Sequence, residues 1–507
     1  MPRKSSGHIM ITHPTMSFIP RTRSIAALCT LVLLFAASSA SAQSTYTPNV
    51  VVVKYAYATA PRARATIALE AGAGAEEPKA IASHTRILRL KPGVPLATAL
   101  ARLRHEPHVQ WAVPDYTAHT SEATPTTEAV PTSEAVPTTE AAPTSEAASA
   151  LPPTASYIPN DPGTTHTPGG WQQLQWNFAG PFGVDAPRAW ANLAADGARG
   201  GGGRGVVVAV LDTGIAYSNR GRFRRSPDFT STQFVAGYDF VDHDPYANDR
   251  NGHGTHVAGT IAEATGNHRD LTGLAYGVRL MPVRVLDSEG EGDASVIAQG
   301  VRFAVNHGAR VINLSLEFSS FVTASDIPEL LEALRYARHR GVLVVAAAGN
   351  EGHRAIAYPA RAPKVVSVGA TTEHGCLASF SNDGSGLTLV APGGGPDADL
   401  PGDPNCHPEE PAGRDIFQVT FTGSSPRRFG IPSGYDGTSM ATPHVSATAA
   451  LIIASRVLGP NPTPAQLIAR LRATARKLGS PGDHTLYGSG LVDAGAATAP
   501  GGPGAVR

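Results

Sequence analysis

Four residues of this chain are of types that together perform acyl transfer: a carboxylate at Asp212, an imidazole at His253, a primary amide at Asn350 and an alcohol at Ser439. A serine hydroxyl is a weak nucleophile until a base takes its proton, and the base needs a partner that fixes its tautomer. Amide N–H groups aimed at the developing oxyanion complete such a set. Ser439 lies in Gly437-Thr438-Ser439-Met440-Ala441-Thr442-Pro443-His444, where a loop turns into an apolar helix expected over 440–454. Pro443 is expected in the first turn of that helix, where a missing N–H costs little. A buried helix N-terminus offers free N–H groups and a partial positive charge, which suits a reaction that generates an oxyanion.

The elements that must position these groups are legible around them. The run 206–211 is continuously apolar, the pattern of a buried parallel strand, and ends in Asp212-Thr213-Gly214. A carboxylate at the C-terminal end of such a strand faces the crevice where open α/β sheets hold their sites. His253 stands in Asn251-Gly252-His253-Gly254-Thr255-His256, and 257–263 continues as a helix. The two glycines beside His253 are expected to let a substrate backbone come close. A second buried strand begins at Val342 and reaches Gly349-Asn350, whose side-chain N–H is a candidate oxyanion donor. Further strands are expected at 280–286, 311–316 and 365–368, and helices at 296–307 and 327–339. This alternation predicts an α/β domain, a mostly parallel sheet with helices on both faces. His256 and His444 fall inside helices and read as core residues.

In this order and with these flanks, the four residues resemble the subtilisin-like serine proteases (subtilases), over about residues 157–497. The resemblance implies a three-layer fold in which Ser439 attacks the scissile carbonyl. His253 moves the proton, Asp212 holds the ring, and Asn350 with the Ser439 backbone N–H binds the oxyanion. It implies protein or peptide substrates held as a strand beside Gly290-Glu291-Gly292 and Leu314-Ser315-Leu316, with Ala348 and Gly349 lining the cleft. The residue after Leu316, usually glycine in the family, is Glu317 here. Glu291, Asp293 and Glu317 are therefore expected to make an acidic rim that favours basic peptides. The resemblance also implies structural Ca2+ and no catalytic metal. One site would use side chains of Asp239, Asp242, Asp244 and Asn248 with the Tyr246 carbonyl; a second would use Asp161, Asp228 and Asn267. Around Asn267 the chain departs from the family pattern with His268, Arg269 and Asp270.

The remainder of the chain frames this domain. Of 507 residues, 41 are basic and 41 acidic, a balance that argues against nucleic-acid binding. Residues 1–42 read as a secretory signal: Arg21 and Arg23 precede the apolar run 25–37, and Ala40-Ser41-Ala42 offers a cleavage site. The product is then a secreted protein without an integral membrane segment, expected to be a monomer. Past the signal only Cys376 and Cys406 remain, and in an oxidising compartment they are expected to pair. Residues 43–118 read as a small α+β, ferredoxin-like module, with strands at 49–55, 85–91 and 109–116 and a helix at 95–104. It resembles the inhibitory propeptide of the subtilases, which assists folding and then blocks the cleft. Residues 119–156 carry Glu122, Glu128, Glu134, Glu140 and Glu146 at a period of six, a linker composition that suits maturation cleavage between Tyr116 and Tyr157. The catalytic domain is placed at 157–500 and a tail at 501–507. The alternative is a catalytically silent surface binding protein on the same fold. An aspartic protease would need a second strand-borne Asp-Thr/Ser-Gly, and a zinc protease a His-Glu-x-x-His; neither occurs.

Overall fold

Strands between residues 207 and 392 assemble into one sheet. The computed structural model describes residues 45–76, 80–121, 157–195, 201–423, 425–479 and 484–505. The expected signal and the hexapeptide repeats lie outside the described residues. Seven strands form an entirely parallel sheet: β5 (Val207–Asp212), β6 (Tyr238–Asp239), β7 (Arg279–Arg284), β9 (Val311–Leu314), β11 (Leu343–Ala347), β12 (Val366–Thr371) and β13 (Leu389–Pro392). Their order is β13-β12-β11-β9-β5-β7-β6. Side chains alternate across a strand, so β5 feeds two cores. Val208 and Val210 pack with helices α5 (His253–Ala262) and α8 (Thr438–Ser455) on one face. Ala209 and Leu211 pack with α6 (Ala294–Asn306) and α7 (Pro328–His339) on the other. Shorter helices α3 (Trp176–Ala179), α4 (Ala186–Ala195), α9 (Pro464–Thr474) and α10 (Ala494–Thr498) complete the domain. Cys376 and Cys406 form the expected disulfide.

The N-terminal module runs β1 (Tyr46–Tyr55), α1 (Pro61–Glu70), β2 (Ala73–Glu76), β3 (Thr85–Leu90), α2 (Leu96–His105), β4 (Val109–Thr120). Its sheet is antiparallel in the order β4-β1-β3-β2. One face holds Val51, Val53 and Leu88 against Ile67 of α1 and Leu100 and Leu103 of α2. The opposite face sends Val50, Val52, Ile87 and Val113 into the core that contains α6 and α7. Asp115 of β4 accepts the Ser295 N–H at 3.0 Å, placing a carboxylate at the positive end of α6. Helix α1 was not expected: in PRARATIALE only Ile67 and Ala68 are buried, too few apolar residues to show a period.

Strand β4 runs past the expected module boundary at 118 and leaves its own sheet. Residues 117–119 pair antiparallel with β8 (Glu291–Asp293), and 118–120 pair antiparallel with β10 (Leu316–Phe318). These two short strands overlap the segments read as substrate-binding, at Glu291 and Gly292 in β8 and at Leu316 in β10.

Candidate active site

Asp212 ends β5, buried, and its Oδ1 accepts the His253 Nδ1–H at 2.7 Å. The ring nitrogen facing a carboxylate must carry the hydrogen, which leaves Nε2 as the basic position. The Thr213 N–H also donates to Asp212 Oδ1 at 2.7 Å. His253 opens α5, and the helix is locked to β5 by a residue the sequence reading missed. Asp249 accepts from Thr213 Oγ1 and from the backbone N–H groups of Asn251, Gly252 and Thr255, all at 2.9–3.0 Å. Burial pushes the Asp249 carboxyl up, and these donors pull it back toward the anion. Asp249 lies four residues before the first helical residue, outside the N-cap position held by Gly252, so no capping pattern pointed to it.

Of the two glycines beside His253, Gly254 serves internal packing. A Cβ on Gly254 would lie 2.1 Å from the Gly214 carbonyl oxygen and 3.0 Å from Asp212 Oδ1. Glycine at 254 therefore lets the helix come down onto the carboxylate.

Ser439 lies in the first turn of α8, which begins at Thr438 rather than Met440. Pro443 accordingly falls one turn deeper than expected. Lacking an N–H, it leaves the carbonyl four residues back, that of Ser439, without a helical partner. Ser315 Oγ donates to that oxygen at 2.8 Å, while Ser439 Oγ donates to the Ser315 carbonyl at 3.1 Å. The nucleophile is thus tied reciprocally to the segment between β9 and β10. Asn313 Nδ2 in turn donates to Ser315 Oγ at 3.0 Å.

The N–H groups at the start of α8 meet the expected oxyanion donor Asn350 and the end of β4. Thr438 N–H and Thr438 Oγ1–H both donate to Asn350 Oδ1, at 2.9 and 2.8 Å. That fixes the amide with Nδ2 on its other side, and Nδ2 makes no hydrogen bond among the described residues. The Ser439 N–H donates at 3.1 Å to the carbonyl oxygen of Ser121, the residue that follows β4. A peptide carbonyl at the end of β4 thus meets the first turn of α8. Thr120 N–H donates to the Gly290 carbonyl at 3.0 Å beside it.

The other expected site residues divide. Gly290, Glu291, Gly292, Leu314, Ser315 and Leu316 flank β4 as a pair of walls. Ala348 and Gly349 follow β11 and lead into Asn350. With β4 seated beside it, Glu317 is 1% exposed and lies beside Gly349. Asp293 accepts the Thr47 and Thr117 hydroxyls and lies against the module rather than open solvent. His256 and His444 are core residues. Burial lowers them to about 3 and about 4, so both stay neutral, with His256 bonded to the Ile416 carbonyl and His444 to Asn177.

The loop 239–248 carries its own counter-charges. Arg284 lies 3.0 Å from Asp239 and 3.3 Å from Asp242, and Arg250 pairs with Asp242. Asp244 caps the Tyr246 N–H, and Asn248 Oδ1 accepts from Ser218. These contacts do not fit the calcium expected on Asp239, Asp242, Asp244, Tyr246 and Asn248. Among the described residues no three acidic, histidine or cysteine side chains converge as metal ligands. Asp161, Asp228 and Asn267 are nevertheless brought together: Asp161 accepts the Asn267 N–H at 2.9 Å, and Asn267 Nδ2 donates to Asp228 at 2.7 Å. Buried Glu263 lies near Asp228; burial first, and then the charge of Asp228, raise its carboxyl well above the ordinary carboxylate range, and its Oε2 has no partner.

The subtilase family model matches residues 203–490, more than half of the chain. This chain belongs to the subtilase family. It is a serine-type endopeptidase. An alkaline protease of Alkalihalobacillus alcalophilus is 40% identical over 348 residues, 69% of this chain and 75% of the relative. Subtilisin BL of Lederbergia lenta is 42% identical over 300 residues, 59% of this chain and 93% of the relative. Among solved structures, a protease from Pseudoalteromonas arctica PAMC 21717 is similar with a TM-score of 0.53 and 31% identity, covering 68% of this chain and 99% of that one. The subtilase match begins after the N-terminal module, at residue 203.

Proposed function

We propose that this subtilase is made as a self-processing precursor that hydrolyses peptide bonds through Ser439, His253 and Asp212. The observation that carries the reading is the Ser121 carbonyl accepting the Ser439 N–H at the end of a strand held between β8 and β10. In the first step Ser439 Oγ bonds to the Ser121 carbonyl carbon, and His253 Nε2 takes the hydroxyl proton. The oxyanion receives hydrogen bonds from Ser439 N–H and Asn350 Nδ2. The tetrahedral centre then expels the Glu122 nitrogen, which leaves as an amine with the proton from His253. Water repeats the sequence on the ester and frees Ser439. Protein substrates in trans follow the same course once β4 has left the cleft. Sequencing the N-terminus of the matured protein tests this: it should begin at Glu122 or at a later trimming point before Tyr157. A start near Gln43 refutes it. The Ser439→Ala chain should keep the module attached.

Export follows from the signal read at 1–42, and the protein should appear outside the cytoplasm with that segment removed. Among the described residues no helix is long and apolar enough to cross a membrane. One structural calcium at Asp161, Asp228 and Asn267 is part of the same proposal. Its support is a group of buried carboxylates with no ion-paired cation among the described residues. Calcium there would offset that charge and tie the 161 segment to the 267 loop. Chelation should lower the melting temperature, because the ion binds only the folded chain. An unchanged melting curve in excess chelator removes the site.

A further inference from the structure

The carbonyl at Ser439 identifies Ser121 as the residue before the cut, so its side chain marks the pocket that selects substrates; this rests on the reading just given. Both walls of that pocket touch one side chain. Glu317 belongs to β10 on the first wall, paired with His119 of β4. Its Oε1 accepts the Asn350 N–H at 3.0 Å on the second wall. There it lies so close to Gly349 that a Cβ at that residue would sit 2.4 Å from Oε2. Gly349 has a φ of +111°, so glycine serves both the turn and the contact. Asn382 Nδ2 closes the same corner while donating to the Ala348 carbonyl at 3.3 Å.

The carboxylate is otherwise unserved. Glu317 Oε2 and Ser121 Oγ are both buried and make no well-formed hydrogen bond, although the Ser121 hydroxyl is near enough to act on the carboxyl. Burial raises the Glu317 carboxyl to about 8. The Asn350 N–H opposes that, Glu351 adds to it, and the Ser121 hydroxyl favours the anion least strongly. No cation appears among the influences on it.

We propose that Glu317 determines which residue precedes the cut: its side chain bridges the two walls, closes the pocket at the depth of a serine, and leaves one carboxylate oxygen to favour a small side chain bearing a hydroxyl. The expected acidic rim with a taste for basic peptides is replaced by a shallow pocket that selects by size. A glycine at 317, the family's usual residue, would leave that space open.

The test is a series of peptides alike except for Ser, Ala, Leu, Phe or Arg before the cut, read as kcat/KM on the matured enzyme. Serine should lead, alanine should follow by about fivefold, and the larger residues should trail by about 100-fold or more. Glu317→Gly should raise Leu and Phe relative to Ser by about 100-fold. Glu317→Leu should keep the size limit and erase the advantage of Ser over Ala. A parent enzyme that cuts best after Arg and loses this in Glu317→Leu overturns the proposal in favour of an ion pair. An unchanged profile in Glu317→Gly overturns it outright. If the variants do not mature, precursors with native Glu317 and Ser121→Phe or Ser121→Ala give the same answer. Processing should slow about 100-fold for Phe and about fivefold for Ala, and equal rates refute the pocket. Processing that persists in Ser439→Ala would instead defeat the underlying serine mechanism.

Discussion

The Asn350→Ala enzyme should lose turnover and keep its affinity. Asn350 Nδ2 has no hydrogen-bond partner among the described residues, whereas Oδ1 is pinned by two donors from Thr438. The idle N–H therefore gains its partner as negative charge builds on the carbonyl oxygen, and an interaction made only in the transition state acts on kcat. Loss of one such donor is worth about 2.7–4 kcal/mol, or about 100- to 1,000-fold in kcat. KM should stay within about threefold. The substitution also strips the Thr438 N–H and hydroxyl of their acceptor, so the melting temperature should fall with about 1–3 kcal/mol of stability. Thr438→Val separates the two effects: it removes one of the two pins and leaves the amide donor in place. Its cost should be about 1 kcal/mol, near fivefold in kcat. The assay is steady-state hydrolysis of a soluble peptide by enzyme counted through serine-directed acylation, together with the time course of self-cleavage. Both rates should drop by the same factor. A fall in kcat below tenfold, or a loss carried by KM, would refute the assignment of Asn350.

Two other perturbations probe the scaffold. Glu329 is buried in the first turn of α7 with neither carboxyl oxygen bonded; burial first, and then the charge of Asp115, hold its pKa well above the ordinary carboxylate range. A group raised on folding stabilises fully below its unfolded value, and that contribution is lost as pH climbs through the folded value. The Ser439→Ala precursor should therefore lose melting temperature from about pH 5 upward more steeply than the same chain with Glu329→Gln; parallel curves would contradict the burial argument. Replacing Cys376 and Cys406 by serine reopens a loop whose ends are 30 residues apart. The chain-entropy contribution is about 3.6 kcal/mol, so the melting temperature should fall while kcat is retained, and a loss of less than about 1 kcal/mol in denaturant titration would show that the loop is already confined without the bond.

Five of the seven sheet strands were readable because they are buried on both faces and so are apolar throughout, as in 206–211 and 342–347, whereas the short β6 and β13 were not expected. The four expected catalytic residues were readable because each lies at or near the end of a long apolar element. Short antiparallel strands were not: β8 is Glu-Gly-Asp and owes its form to β4 beside it, not to its own residues. Asp249 stayed hidden because it lies outside the N-cap, and its donors from Thr213 to Thr255 converge only in the folded loop. The meaning of Pro443 depended on where α8 begins, and an error of two residues turned a harmless proline into the reason Ser315 bonds Ser439. Glu317 was seen as a departure, but whether a carboxylate faces water or crosses a cleft depends on tertiary neighbours such as Gly349 and Asn382.

Strand β4 is shared between two sheets, residues 109–116 with β1 and 117–120 with β8 and β10. A break after residue 121 cuts none of those lateral ties. On the proposed self-processing route, the severed module would stay seated by its own backbone and latency would outlast the cut. Activation would then be timed by the stability of residues 45–120 rather than by the speed of the cleavage itself.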